Sequence, residues 1–346
     1  MKIFDKARNS YIEKLPFVIY RKPNKKSVSG FFTSDDSLYY TTNFSESGFV
    51  FAPFNTDEKA ILFPLEKSDF ITETLVLEDA NFIENDFAVD EKSKENHLQI
   101  VEKAIRKIKN SDLQKVVISR KETVVLTDFD VIEIYKKLLK SYKNAFVSIW
   151  FHPKVGLWLG ATPETLLQIK NKCFTTMSLA GTQVYEPKIA VIWKSKELEE
   201  QQLVTDFIEN QLAGISSNLK IDKTETIKAG NLLHLRTKVE GQLNKQSNLK
   251  SLLRALHPTP AVCGLPRMMA KAFILENEGY SRSFYTGFLG ELNIHEKSSL
   301  FVNLRCMEIG NKTASIYVGG GITKDSNAIK EWKETVSKSK TMKKVL

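Results

Sequence analysis

The sequence predicts an α+β protein built on a large, mainly antiparallel β-sheet, and three observations carry that prediction. Roughly the first 90 residues hold short β-type runs separated by clusters of Pro, Asn, Asp and Ser. Three further β runs follow one another in the C-terminal third with only short polar turns between them, as in an antiparallel meander. Between these regions strands and helices mix without the strict alternation of a doubly wound parallel sheet.

The N-terminal runs are Phe17 to Tyr20, Ser29 to Phe32, Leu38 to Thr41, Phe49 to Phe51 and Ala60 to Phe63, separated by Pro, Asn, Asp and Ser. After the polar stretch Asp90 to Asn96, Leu98, Val101, Ile105 and Ile108 recur at helical spacing. A boundary is therefore expected near residue 90, with a β-rich region (1–90) contributing to the same sandwich as the larger unit (91–346). The β-branched run Lys115 to Arg120 predicts a strand, and Val131, Ile134, Tyr135 and Leu138 predict a helix. Phe146 to Phe151 and Gly156 to Gly160 follow as strands, Leu166 to Ile169 and Phe174 to Leu179 as a hairpin, and Trp193 to Leu212 as a long helix. Leu256 to Pro266 reads as loop, with Pro266 opening a helix to about Leu275. The three meander runs are Phe284 to Ile294, Leu300 to Ile309 and Thr313 to Val318; Gly319-Gly320-Gly321 reads as a turn before a last helix that Ser326 caps.

The 346 residues exceed the roughly 250 to 300 at which single cores usually stop growing, so one large two-layer domain or two lobes is expected. With 42% apolar and 26% charged residues, a sizeable core is available and global disorder is excluded. Cys173, Cys263 and Cys306 form no C-x-x-C pair, which argues against a disulfide framework or a thiolate zinc site and for a reducing compartment. Charge in the first eight residues argues against a secretory signal, and no apolar run approaches the roughly 20 residues of a membrane span, so a cytoplasmic protein without membrane attachment is expected. The formal net charge of +9 attracts anions of any kind, nucleic acid or a small carboxylated metabolite alike. No zinc-finger, helix-turn-helix or RNA-binding signature accompanies the scattered lysines, which a solvated surface explains.

Two helices carry the most informative chemistry. Glu197 and Glu200 stand three apart, as do Glu331 and Glu334, so each helix presents two acids on one face. Facing each other, the four would suit Mg²⁺, which prefers hard oxygen ligands and keeps part of its water shell; taken singly, each pair is equally an ordinary solvated face. Lys338 shares the face of Glu331 and Glu334, either as a functional cation or as an i, i+4 surface partner. Gly319-Gly320-Gly321 offers backbone N–H groups to an anion but lacks a P-loop's Lys-Ser/Thr, and a plain turn is the alternative. Arg305 offers a bidentate fork to a carboxylate unless it simply faces outward from its strand. Lys115 opens an apolar run where burial would depress its pKa toward that of a general base, a snorkelling edge lysine being the alternative. Glu164, hemmed by apolar residues, is a candidate general acid or a turn cap. His234 and His257 fit no metal-ligand spacing.

Together these segments resemble the chorismate-binding enzymes, the family that holds isochorismate synthase, salicylate synthase, anthranilate synthase component I and aminodeoxychorismate synthase component I. The resemblance spans about residues 95 to 346. It rests on Leu113 to Arg120, Gly160 to Leu166, Leu179-Ala180-Gly181-Thr182, Lys196 to Glu200, Leu256 to Pro266, Asn303 to Cys306, Gly319 to Ile322 and Glu331 to Thr335. It implies a sandwich of large antiparallel sheets with outer helices and a site in the cleft between layers. It also implies Mg²⁺ on Glu200 and Glu334, with Glu197 and Glu331 binding the ion or its waters. Chorismate would then lie beside Ala180, Gly181, Thr182, His234, His257, Arg305, Gly319 and Lys338, with Ala261 and Val262 near its ring. Lys115 in a K-V-V motif is similar to the base of members that add water at C2, with Glu164 protonating the departing C4 hydroxyl. The implied product is isochorismate, for menaquinone or siderophore formation, with salicylate as the nearest rival product. Neither a glutaminase subunit nor a nucleic-acid partner is expected, and a monomer is. Two departures from the family pattern are a shorter N-terminal region and Gln201, where a histidine often follows the glutamate.

Overall fold

The computed structural model describes residues 2–76, 90–127, 130–187, 190–229 and 232–346; the segment just before the expected boundary near residue 90 lies outside the described residues. The fold is α+β, two large antiparallel sheets packed face to face with helices on the outside. The first sheet runs, in spatial order, Gly264–Leu265, Lys115–Val125, Thr313–Ile322, Cys306–Gly310, Gly156–Thr162, Phe146–His152, Phe17–Arg21, Ser27–Thr33 and Ser68–Thr74. The second runs Ser216–Ile221, Leu232–Leu243, Cys173–Val184, Thr165–Lys170, Lys297–Val302, Phe288–Ile294, Gly48–Ala52, Ala60–Pro64 and Tyr39–Thr41, with Glu225–Ala229 also pairing Leu232–Leu243. Strands from residues 17 to 74 thus stand at one end of both sheets.

Strand alternation sorts the core into layers. In Phe17–Arg21, Phe17 and Ile19 face outward onto helices Lys2–Ile12 and Val131–Ser141, while Val18 and Tyr20 face the second sheet. The space between the sheets is aromatic at this end: Phe146 stacks on Phe301 at 4.2 Å, Phe51 on Phe284 at 4.1 Å and Phe63 on Trp150 at 5.4 Å. Outside the second sheet, Val204, Ile208 and Leu212 of helix Ser195–Ala213 pack with Leu252, Leu253 and Leu256 of helix Leu249–Leu256.

Four expectations are corrected. The run from Leu300 to Ile309 is two strands in different sheets, because Arg305 has φ 47° and the chain crosses between layers at Asn303-Leu304-Arg305. The expected meander is therefore two hairpins, one per sheet. Gly319-Gly320-Gly321 is no turn: it continues the strand, paired with Ser119, Ile118 and Val117 on one side, while on the other the pairing stops at Tyr317 with Cys306 and that edge opens on the cleft. Within the expected loop 256–266, Gly264 and Leu265 pair with Val116 and Lys115. The cap of helix Ala328–Lys343 is Asn327, whose side chain accepts from Lys330 N, while Ser326 Oγ takes the N–H of Thr323.

Candidate active site

Away from the aromatic end, the two sheets bound a cleft of about 900 Å³ including its mouth. One wall is Val117 with Val318 to Gly321; the other is Leu179 to Thr182 with His234; helices Ser195–Ala213 and Ala328–Lys343 close the end with Lys196, Glu197, Glu200, Glu334 and Lys338. Two crossings between sheets deliver the remaining groups. Pro163-Glu164 joins Gly156–Thr162 to Thr165–Lys170, and Asn303-Leu304-Arg305 joins Lys297–Val302 to Cys306–Gly310. The crossings run side by side, Val302 N donating to Glu164 O and Ala161 N to Arg305 O. Backbone hydrogen bonds thereby fix the separation of Glu164 and Arg305.

The acids converge where the opposite wall has no side chains. A Cβ on Gly320 would lie 3.5 Å from Glu331 Oε2 and 3.8 Å from Glu334 Oε1, and one on Gly321 would lie 2.6 Å from Glu200 Oε1 and 3.0 Å from Lys115 Cε. Each of these three acids is met by a lysine: Lys115 Nζ is 2.8 Å from Glu200 Oε1, Lys196 Nζ 2.7 Å from Glu331 Oε1 and Lys338 Nζ 2.7 Å from Glu334 Oε1. The Lys115 contact is an ion pair without hydrogen-bond alignment. Lys338 also donates to the Gly319 carbonyl, tying its helix to the sheet. Among the described residues, no three His, Cys, Asp or Glu stand gathered as a ready-made metal cluster. The donor set nonetheless fits a hard divalent cation, being all carboxylate, facing a glycine cradle and carrying mutual repulsion for an ion to relieve.

Electrostatics differentiates the groups. Burial pushes the Glu164 carboxyl up to about 8, against the pull of Lys115 and Lys338, so it is a protonated donor at neutral pH. Burial would likewise raise Glu200, but Lys115, aided by Lys196 and Lys338, holds it below the ordinary carboxylate value. Glu331 is raised by burial and by Glu334, with Lys196 opposing. Burial and Arg305 press His234 down to about 3, so its ring is neutral. Its Nδ1 lies 3.0 Å from the Gly181 carbonyl and donates to it, leaving Nε2 as a buried lone pair. Gly181, at φ 66° in a bulge of its strand, is the residue that can turn that carbonyl. Burial also lowers Arg305, which donates to Thr341 Oγ1 at 3.1 Å.

The structure brings together Glu164, Ala180, Gly181, Thr182, His234, Ala261, Val262, Arg305, Gly319, Lys338, Glu197, Glu200 and Glu334 on the cleft lining. Lys115 and Glu331 stand directly behind the lining, the first wholly buried and therefore no snorkelling edge lysine. His257 is placed elsewhere: its Nε2 faces the Pro53 carbonyl at 3.3 Å, its ring packs edge-on to Phe288, and burial takes its pKa down to about 4. Sequence reasoning missed Tyr285, which lines the cleft and whose hydroxyl lies 3.0 Å from where a Gly319 Cβ would be. It sits in an irregular turn that the sequence pattern reads as the start of the β run Phe284 to Ile294, whereas the strand begins at Phe288. Also missed was the buried pair Arg282–Glu278, whose guanidinium donates to the Val262 and Val117 carbonyls and so binds two cleft walls together.

A conserved-family match agrees with this geometry: residues 64–346 fit the model of the family described as chorismate binding enzyme, and the chain belongs to that family. Its similarity extends to particular members. It is 30% identical over 256 residues to isochorismate synthase EntC of Escherichia coli (strain K12), covering 70% of this chain and 65% of that protein. It is 28% identical over 263 residues to anthranilate synthase component 1 of Thermococcus kodakarensis, covering 73% of this chain and 60% of that protein. The chain thus matches less than two thirds of the length of these curated relatives. In structure it is similar to MenF, the menaquinone-specific isochorismate synthase from Escherichia coli, with TM-score 0.79, 20% identity, and 96% of this chain and 88% of that one covered. DhbC from Bacillus anthracis gives TM-score 0.82 at 22% identity, covering 99% of both chains. At these identities the structural matches establish a shared fold. No described helix is long and apolar enough to cross a membrane.

Proposed function

We propose that the chain is an isomerase that converts chorismate to isochorismate, with Lys115 as base and Glu164 as acid. The observation that carries this reading is their division of labour: a neutral, buried carboxyl on the cleft lining able to give a proton, and a wholly buried amine that it feels electrostatically directly behind that lining. Acting as the free amine, released from its ion pair with Glu200, Lys115 takes a proton from the water that bonds to C2, the ring double bonds shift, and Glu164 protonates the C4 oxygen as it leaves. One water enters and one departs, so no net atom is gained. Arg305 and Lys338 face the substrate's carboxylates as charged donors. His234, kept neutral by burial and Arg305 and oriented by the Gly181 carbonyl, offers an acceptor to a hydroxyl.

Glu200, Glu334, Glu197 and Glu331 are the residues that would hold Mg²⁺, which supplies charge neutralisation for the substrate's ring carboxylate. A cytoplasmic location, a monomeric state and independence of a glutaminase belong to the same reading. Incubation of the purified chain with chorismate and MgCl₂, followed by chromatography and mass analysis, tests it. A product of unchanged mass is expected, released without pyruvate. Salicylate with pyruvate would reassign the product, and unconverted chorismate would remove the activity.

A further inference from the structure

The three lysines that neutralise the acids are not equivalent. Lys115 is wholly buried on a strand. Lys338, its side chain 15% exposed, is held by both Glu334 and the Gly319 carbonyl. Lys196 is 32% exposed, stands in the first turn of helix Ser195–Ala213, and bridges to the other acid-bearing helix through Glu331. It also borders two spaces. One is the cleft; the other is an outer groove whose rim includes Asp112, Glu199, Lys324 and Asp325. Glu200 is the second residue common to both linings. Lys196 therefore forms part of the partition between groove and cleft.

Glu331 explains why a cation must stand there. It is 2% exposed and faces Glu334 over the Gly320 backbone, so an unpaired charge at this carboxylate would be strongly unfavourable. We infer that Lys196 is a positioning residue that takes the divalent cation's place against Glu331 when the acids hold no ion, and withdraws toward the outer groove when they do. The inference rests on the proposal that these acids take Mg²⁺. Of the three lysines, Lys196 has solvent to retreat into, and the groove offers Glu199 and Asp325 as alternative partners. Lysine and metal compete for one carboxylate, so by linkage removing the first strengthens the second.

Titration calorimetry of MgCl₂ into the full chain and into Lys196→Met, Lys196→Arg and Lys324→Met, with thermal melts in EDTA, tests this. Lys196→Met should bind Mg²⁺ more tightly, by about 5- to 150-fold, the usual range of coupling between sites. It should also melt below the wild type in EDTA and regain more on adding Mg²⁺. Lys196→Arg, which keeps the competing charge, should bind no more tightly than wild type. Lys324→Met removes a charge from the same groove but not from Glu331, and should stay within about twofold of wild type because solvent screens it. If Lys196→Met folds poorly, Lys196→Gln carries the same expectation. Equal affinity of the Lys196 variants and wild type overturns the inference alone, as does an equal shift in Lys324→Met. No binding heat in any protein removes the Mg²⁺ reading and the inference with it.

Discussion

The space between the two sheets is filled in one half and left open in the other, and the same architecture serves both. In the filled half, Phe51, Phe63, Phe146, Trp150, Phe284 and Phe301 interlock, and the hydrophobic effect holds the sheets together. In the open half, glycines at 320 and 321 withhold side chains from one wall, and acids, lysines, Arg305 and His234 occupy the rim. The difference teaches a division of work. Aromatic packing at one end supplies the rigidity that lets buried charge persist at the other. Buried ion pairs contribute little net stability of their own once desolvation is counted.

The two halves should respond differently to substitution. Lys115→Gln keeps a donor near Glu200 but removes the base; turnover of the folded protein should fall by about 10²- to 10⁴-fold, and the melting temperature should drop as Glu200 loses its buried partner, as kinetics and calorimetry on one sample would show. Near-normal turnover would remove Lys115 from the chemistry. Phe301→Ala, in the filled half, should lose stability alone: about 3 to 5 kcal/mol in denaturant unfolding, with kcat retained below the transition. A collapse of kcat in the still-folded variant would mean that the halves are coupled and not separable.

Gly321→Ala sharpens the contrast further. Its Cβ would push on Glu200 Oε1 and Lys115 Cε, so turnover should drop by about tenfold, or about 1.4 kcal/mol on the barrier, and Mg²⁺ binding should weaken. Unchanged kinetics would show that the cradle is not needed. The last effect concerns pH. The Glu164 carboxyl is raised from 4.5 to about 8, so its proton is available below that pH and the rate should decline as pH climbs through about 8. Over the same interval the unfolded carboxyl ionises while the folded one does not, so folding stability falls between about 4.5 and 8. Glu164→Gln should abolish that component, raising the melting temperature more at pH 8 than at pH 5. An equal change at both would contradict the raised value.

Local pattern made much of this legible. The strands from Phe17 to Phe63 and the helix around Val101 follow from periodicity and breakers, and the acid pairs follow from helical spacing. What escaped was set by tertiary contact. Helix Lys2–Ile12 carries three lysines or arginines among its eleven residues, which mask its apolar face until Ile3, Phe4 and Ala7 meet the sheet. The sheet change at Arg305 is invisible because the alternation of Val302, Leu304 and Cys306 with Asn303 and Arg305 runs on through it. The glycine triplet looks like a turn until its pairing with the Lys115 strand is known. His257 lies in a stretch that the sequence reading takes as a family motif, yet its ring turns to Pro53 and Phe288, an orientation that spacing does not encode.

The central claim is that this open half puts a water oxygen on C2 of chorismate under the control of Lys115 and Glu164. Turnover in H₂¹⁸O, with the product isolated and its mass measured, reaches it most directly. One heavy oxygen in each isochorismate formed, at the C2 hydroxyl, is the predicted result. Isochorismate carrying only the oxygens of the starting chorismate would contradict it, because the hydroxyl would then have migrated without solvent and the base would have no water to act on.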